Sequence, residues 1–132
     1  MLSEVRSLDR LKRFYAEINT LDDEIPAQVT RKIYLYSLAL LEIGRFHAEA
    51  VNEYGRIYAA RKGKWGEIAA TTEGSGVVKE ATADRLTQEL REKEAQAEAE
   101  MHRWKNSFEA TQEIINALKV HLKVLVKELD VA

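Results

Sequence analysis

The chain of 132 residues has room for one modest domain, and its 45% hydrophobic and 32% charged residues describe a globular rather than a disordered protein. It has no cysteine, which excludes disulfide scaffolds, thiolate zinc sites and cysteine catalysis. A formal net charge of -2 excludes a surface coated in cations but not a local basic patch, because counterion release depends only on the phosphates contacted.

Apolar residues at Val5, Leu8, Leu11, Tyr15 and Ile18 recur at helical spacing and predict a short amphipathic helix, with Ser3 as its N-cap and Glu4 in the first turn. The run Asp22-Asp23-Glu24-Ile25-Pro26 ends it, since the residue before proline avoids the helical region while Pro26 suits the first turn of the next helix. Residues 1–25 therefore read as an N-terminal helix and linker.

A long helix is expected over 26–62. Ile33, Tyr36, Leu40, Ile43, His47, Ala50, Tyr54 and Ile57 alternate in steps of 3 and 4, a heptad seam. Leu38, Leu41, Phe46 and Val51 widen it, and Gly44, Ala48, Gly55 and Ala59 add a small-residue strip where another helix could approach. This helix is expected to contact more than one neighbour.

Residues 63–78 hold four of the six glycines and read as a flexible turn. Residues 79–132 read as a second long helix. Its seam runs Met101, Trp104, Phe108, Thr111, Ile115, Leu118, Leu122, Leu125 and Leu129, and Ala97, Leu90 and Ala83 extend it upstream. The expected fold is all-α: a short N-terminal helix followed by a long antiparallel helical hairpin or coiled coil. Such a hairpin has too little interior for both seams, so copies are expected to assemble into a homo-oligomeric helical bundle. Trp104, Phe108, Ile115, Leu118, Leu122, Leu125 and Leu129 are the expected oligomerisation residues.

Charge is distributed unevenly: residues 26–66 carry 7 basic and 3 acidic side chains, and residues 67–102 carry 4 and 9. Arg56, Arg61, Lys62 and Lys64 gather at the end of the first long helix among Tyr54, Tyr58 and Trp65. Cations beside aromatic rings suit single-stranded nucleic acid, with charges following the backbone and rings stacking on bases. The same cations also suit a helix C-terminus with no ligand at all. The candidate DNA-binding set is Arg56, Tyr58, Arg61, Lys62, Lys64 and Trp65. Lys119, Lys123 and Lys127 share one face at steps of four and read as solvated, or as a second basic surface if subunits align them. Trp104 and His47 read as interior residues, and His102 and His121 as surface ones. There is no phosphate loop, nucleophile–base arrangement, metal motif or cofactor signature, so an enzyme is not expected. Nor is a membrane partner, since no ~20-residue apolar run or signal-peptide pattern occurs.

The segment Trp104-Lys105-Asn106-Ser107-Phe108-Glu109, with Ile115-Asn116-Ala117-Leu118-Lys119, resembles the C-terminal region of the UvsY family, the recombination mediators of T-even phages. Trp104, Glu109, Ile115, Asn116, Ala117, Leu118 and Lys119 match that pattern without a gap. The length, the pair Tyr36-Ser37 and the basic helix end before a glycine-bearing turn are also similar. The resemblance implies a non-enzymatic oligomer that binds single-stranded DNA and helps a phage recombinase replace single-strand-binding protein. The lack of an apolar span or signal-peptide pattern sets the expected location as the cytoplasm, that of the host cell if the chain is phage-encoded. The resemblance places the family's Lys-Ala-Arg DNA contact on Ala59-Ala60-Arg61. Arg61 carries over and Ala59 stands in the lysine's place, with Lys62, Lys64 and Arg56 nearby to supply charge. It also makes the C-terminal helix the assembly element. The alternative is a structural or partner-binding helical oligomer, such as a phage scaffold, a chaperone or an inhibitor of a host protein. A secreted hairpin of the WXG type ranks below both, because Trp65 and Gly66 are adjacent with no residue between them.

Overall fold

The computed structural model describes residues 2–131; the side chain of Ser3, the expected N-cap, lies outside the described residues. The chain is all-α, with α1 Leu2–Ile18, α2 Pro26–Thr71, α3 Gly76–Leu86 and α4 Gln88–Val131. Two compact units divide it: residues 1–46 with 105–132, and residues 47–104.

In the first unit, α1 packs on the first half of α2 and the second half of α4. Leu11 and Ile18 of α1, Val29, Leu35, Ala39, Ile43 and Phe46 of α2, and Ile115 and Leu125 of α4 are buried. Each buried leucine or isoleucine contributes about 1.5–3 kcal/mol relative to exposure. Two stripes of α2 turn inward, as expected of a helix with more than one neighbour. The interior face of α1 departs from the expected one: Ser7, Leu11 and Ile18 are buried, whereas Val5, Leu8 and Tyr15 are exposed. The cause is polar. Glu42 of α2 is 6% exposed and takes Arg10 Nε at 3.0 Å, while Arg10 also donates to Ser7 at 3.1 Å. Burying that carboxylate requires Ser7 and Arg10 beside it, which turns α1 toward its polar edge.

The link to α2 is tied locally. Asp22 Oδ1 accepts from the Glu24 amide, Gln28 Oε1 accepts from the Asp22 amide, and Pro26 opens α2 as expected. Arg31 pairs with Glu17 at 2.6 Å and Lys32 with Asp23 at 2.7 Å. His121, expected on the surface, is half-buried, its Nε2 2.7 Å from the Asp23 carbonyl. Of the small-residue strip, Gly44 faces a neighbour closely: a Cβ there would lie 3.5 Å from the Phe108 ring. At Gly55 a Cβ would meet nothing within 4 Å among the described residues.

In the second unit, α2 runs nine residues beyond the expected end at Lys62, to Thr71. Gly63 and Gly66 are therefore helical, and the turn of 63–78 contracts to residues 72–75. Two interior glycines cost roughly 1 kcal/mol each relative to alanine, which the half-buried Trp65, Ile68 and Ala69 of the same stretch offset by packing. The stop comes from Thr71 and Thr72, whose hydroxyls donate to the Glu67 and Ile68 carbonyls. Gly74 then takes a φ of +123°, and Ser75 caps α3 by accepting from the Val78 amide. The second long helix expected over 79–132 begins earlier and is broken. Thr87, fully buried, separates α3 from α4, its hydroxyl donating to the Ala83 carbonyl at 2.7 Å. Such back-bonding competes with the helical ladder.

Candidate nucleic-acid interface

The expected DNA-binding residues lie on α2 within the second unit. Tyr58, Arg61, Lys62 and Trp65 stand at i, i+3, i+4 and i+7 and share one face, while Arg56 and Lys64 leave the helix on other sides. The Tyr58 ring collects two cations: Lys62 Nζ lies 4.9 Å from its centroid and the Arg61 guanidinium 5.4 Å. Tyr54 lies beside it at 6.2 Å between ring centroids. Contacts of this kind are worth about 0.5–1 kcal/mol at exposed sites.

Much of the cluster is already neutralised by the chain itself. Arg61 forms an ion pair with Glu94 of α4, and both side chains are mostly covered, at 21% and 14% exposed. Arg56 pairs with Glu53 one turn earlier. Trp65 donates its indole N–H to Asp84 of α3 at 2.9 Å, and Asp84 also receives Arg91 at 2.6 Å. Burial, followed by the nearby carboxylates of Glu98 and Glu94, raises the Tyr54 hydroxyl above its ordinary range. Lys62 and Lys64 remain, exposed and with no carboxylate within ion-pair distance among the described residues. Asp84 is not among the expected site residues, and Glu94, which reads in the sequence as part of a solvated Glu89–Glu100 face, is instead mostly covered against Arg61. Their signal lay in the opposed charges of segments 26–66 and 67–102, which the fold pairs in this unit.

The expected oligomerisation seam is largely occupied within the chain. Ile115 and Leu125 are buried, and Trp104, Phe108, Leu118 and Leu122 are half-buried. Leu129 alone of the seven faces solvent, at 63% exposed. A seam pattern does not specify what covers it, and within the first unit α1 and α2 share that task. Of the other apolar side chains that α4 leaves exposed, Val120, Val124 and Val131 share a face opposite the seam, while Ile114 and Val126 stand to either side.

Among the described residues, no group of three His, Asp or Glu side chains could hold a metal, and no helix is long and apolar enough to cross a membrane. The fold and site define a helical protein with a lightly cationic, aromatic-lined helix face. No family model, curated protein or solved structure matches the chain.

Proposed function

We propose that this chain is a non-enzymatic recombination mediator of the phage type, which binds single-stranded DNA and assists recombinase loading against single-strand-binding protein. The observation that supports it best is Lys62, exposed and without a carboxylate partner, 4.9 Å from the Tyr58 ring, with Lys64 likewise exposed and unpartnered on another side of the same helix. The ammonium groups would follow phosphates while the ring offers a stacking surface. Arg61 has a structural duty to Glu94 as well, so the lysines are the cleaner test. The stretch from Trp104 to Lys119 that resembles the UvsY family supports the mediator assignment. Self-association belongs to the same reading, since linked copies raise the effective concentration of weak sites. The side chains available for it are Val120, Val124 and Val131 on the outer face of α4, beside Lys123 and Lys127.

The K62Q/K64Q variant should bind oligo-dT more weakly and flatten its salt dependence. At about -0.7 in log–log slope per single-strand phosphate contact, two lost contacts change the slope by about 1.4. Wild-type protein with no affinity for oligo-dT at low salt would defeat the proposal. The reading that remains is a structural or partner-binding helical protein. Arg56–Glu53, Arg61–Glu94 and Trp65–Asp84 favour it, since each turns a candidate DNA contact into an internal one.

A further inference from the structure

A further unpaired cationic surface lies on α1, within the first unit, and no reading of the basic cluster on α2 includes it. Arg6, Asp9, Lys12 and Arg13 share the outer side of this helix, away from the buried Ser7, Leu11 and Ile18. With Arg10 they line a shallow concavity of about 570 Å³. Arg10 is spoken for: it holds Glu42 and Ser7. Arg6, Lys12 and Arg13 are exposed and have no ion pair among the described residues, leaving Asp9 as the one acid in the concavity. Arg45, 65% exposed and 3.6 Å from the same Glu42, adds a further cation on the adjoining helix.

We propose that this ridge is a phosphate-backbone site for single-stranded nucleic acid, additional to the lysines of α2; the choice of ligand rests on the mediator reading above. Arg6 and Arg13 are seven residues apart, about 10 Å along the axis at 1.5 Å per residue. That matches about three steps of a stacked strand at ~3.4 Å each. Guanidinium forks grip phosphate oxygens in pairs, which suits a strand held by its backbone and read without sequence preference. Packing argues against a membrane as the ligand. A basic helix lying on lipid inserts its whole apolar face, whereas α1 commits Leu11 and Ile18 of that face to the core and leaves only Val5, Leu8 and part of Tyr15 outside. Summed charge hides the ridge: residues 1–25 carry 4 basic and 6 acidic side chains, and half of those acids stand together at Asp22-Asp23-Glu24, beyond the helix.

Fluorescence titration of oligo-dT across 50–200 mM salt tests this with the full chain and three variants. R6Q/R13Q removes two exposed cations with no partner to orphan and should flatten the slope by about 1.4, narrowing the affinity lost over that salt range by about sevenfold. R6K/R13K keeps the charge and should retain the wild-type slope. K62Q/K64Q, titrated in parallel, separates the two sites. A normal slope for R6Q/R13Q with a flattened one for K62Q/K64Q overturns the ridge and leaves the mediator reading standing. Loss in R6Q/R13Q alone upholds the ridge and moves the principal contact to α1. Binding to phosphatidylserine vesicles with none to oligo-dT overturns both.

Discussion

The Glu42 carboxylate lies between α1 and α2 with 6% of its surface exposed, in contact with Arg10 and Arg45 and hydrogen-bonded within the Ser7–Arg10 group. Burial by itself would raise its pKa. The hydrogen bonds from Ser7 and Arg10 and the charges of Arg10 and Arg45 outweigh that, and hold it below the ordinary carboxylate range. A lowered folded-state pKa means the stabilisation is complete above the unfolded value near 4.5 and is lost as pH falls through the lower folded value. Glu42→Gln should therefore cost about 2 kcal/mol at pH 7 by urea unfolding, within the range for truncating a charged hydrogen-bond network whose cation can regain water. The gap between wild type and variant should close as the pH drops below about 4.5. At this scale the sequence was partly legible. Arg61 could be singled out as a cation among aromatics, but Glu94, thirty-three positions away, could be assigned to it only by the packing of α4 on α2.

Element boundaries followed backbone chemistry more than glycine content. Four glycines between residues 63 and 78 suggested one long turn, yet only Gly74 adopts a conformation that requires glycine, at φ +123°. A Cβ at Gly63 or Gly66 meets nothing within 4 Å among the described residues, whereas at Gly74 it would press on Val78 at 3.2 Å. Gly63→Ala and Gly66→Ala should thus each stabilise the protein by up to ~1 kcal/mol, and Gly74→Ala should destabilise it by ~1 kcal/mol or more. Thermal melts followed by circular dichroism give the sign in each case; a loss of stability in Gly63→Ala would restore the turn at that position. Proline was the more reliable mark, because its ring dictates φ whatever surrounds it, and Pro26 opens α2 as read.

For the molecule as a whole, the question is which apolar surface serves the chain and which serves other copies of it. The heptad seam of α4 is mostly covered internally, while Val120, Val124 and Val131 are exposed at 63%, 47% and 88%. If copies associate as proposed, Val120→Glu with Val124→Glu should lower the mass seen in sedimentation while leaving helicity unchanged. Ile115→Ala, in the buried seam, should instead lower stability by about 2–5 kcal/mol. A monomeric wild type at micromolar concentration would remove self-association, and the avidity it supplies, from the proposed mechanism.

Periodicity alone established an all-α chain with a leading helix, a break at Pro26 and an apolar ridge read from Met101 to Leu129, because a step of 3 and 4 residues is a local property of the helix; the fold leaves Leu129 at the end of that ridge exposed. Periodicity could not say what that ridge faces, since the pattern records that a stripe is apolar and not which surface removes it from water. Assembly of α1, α2 and α4 decided this, and turned α1 so that Ser7 rather than Leu8 went inside. The same assembly decided which cations are free. An arginine's availability depends on whether a carboxylate distant in sequence lies within a few ångströms, and only the folded chain sets that distance.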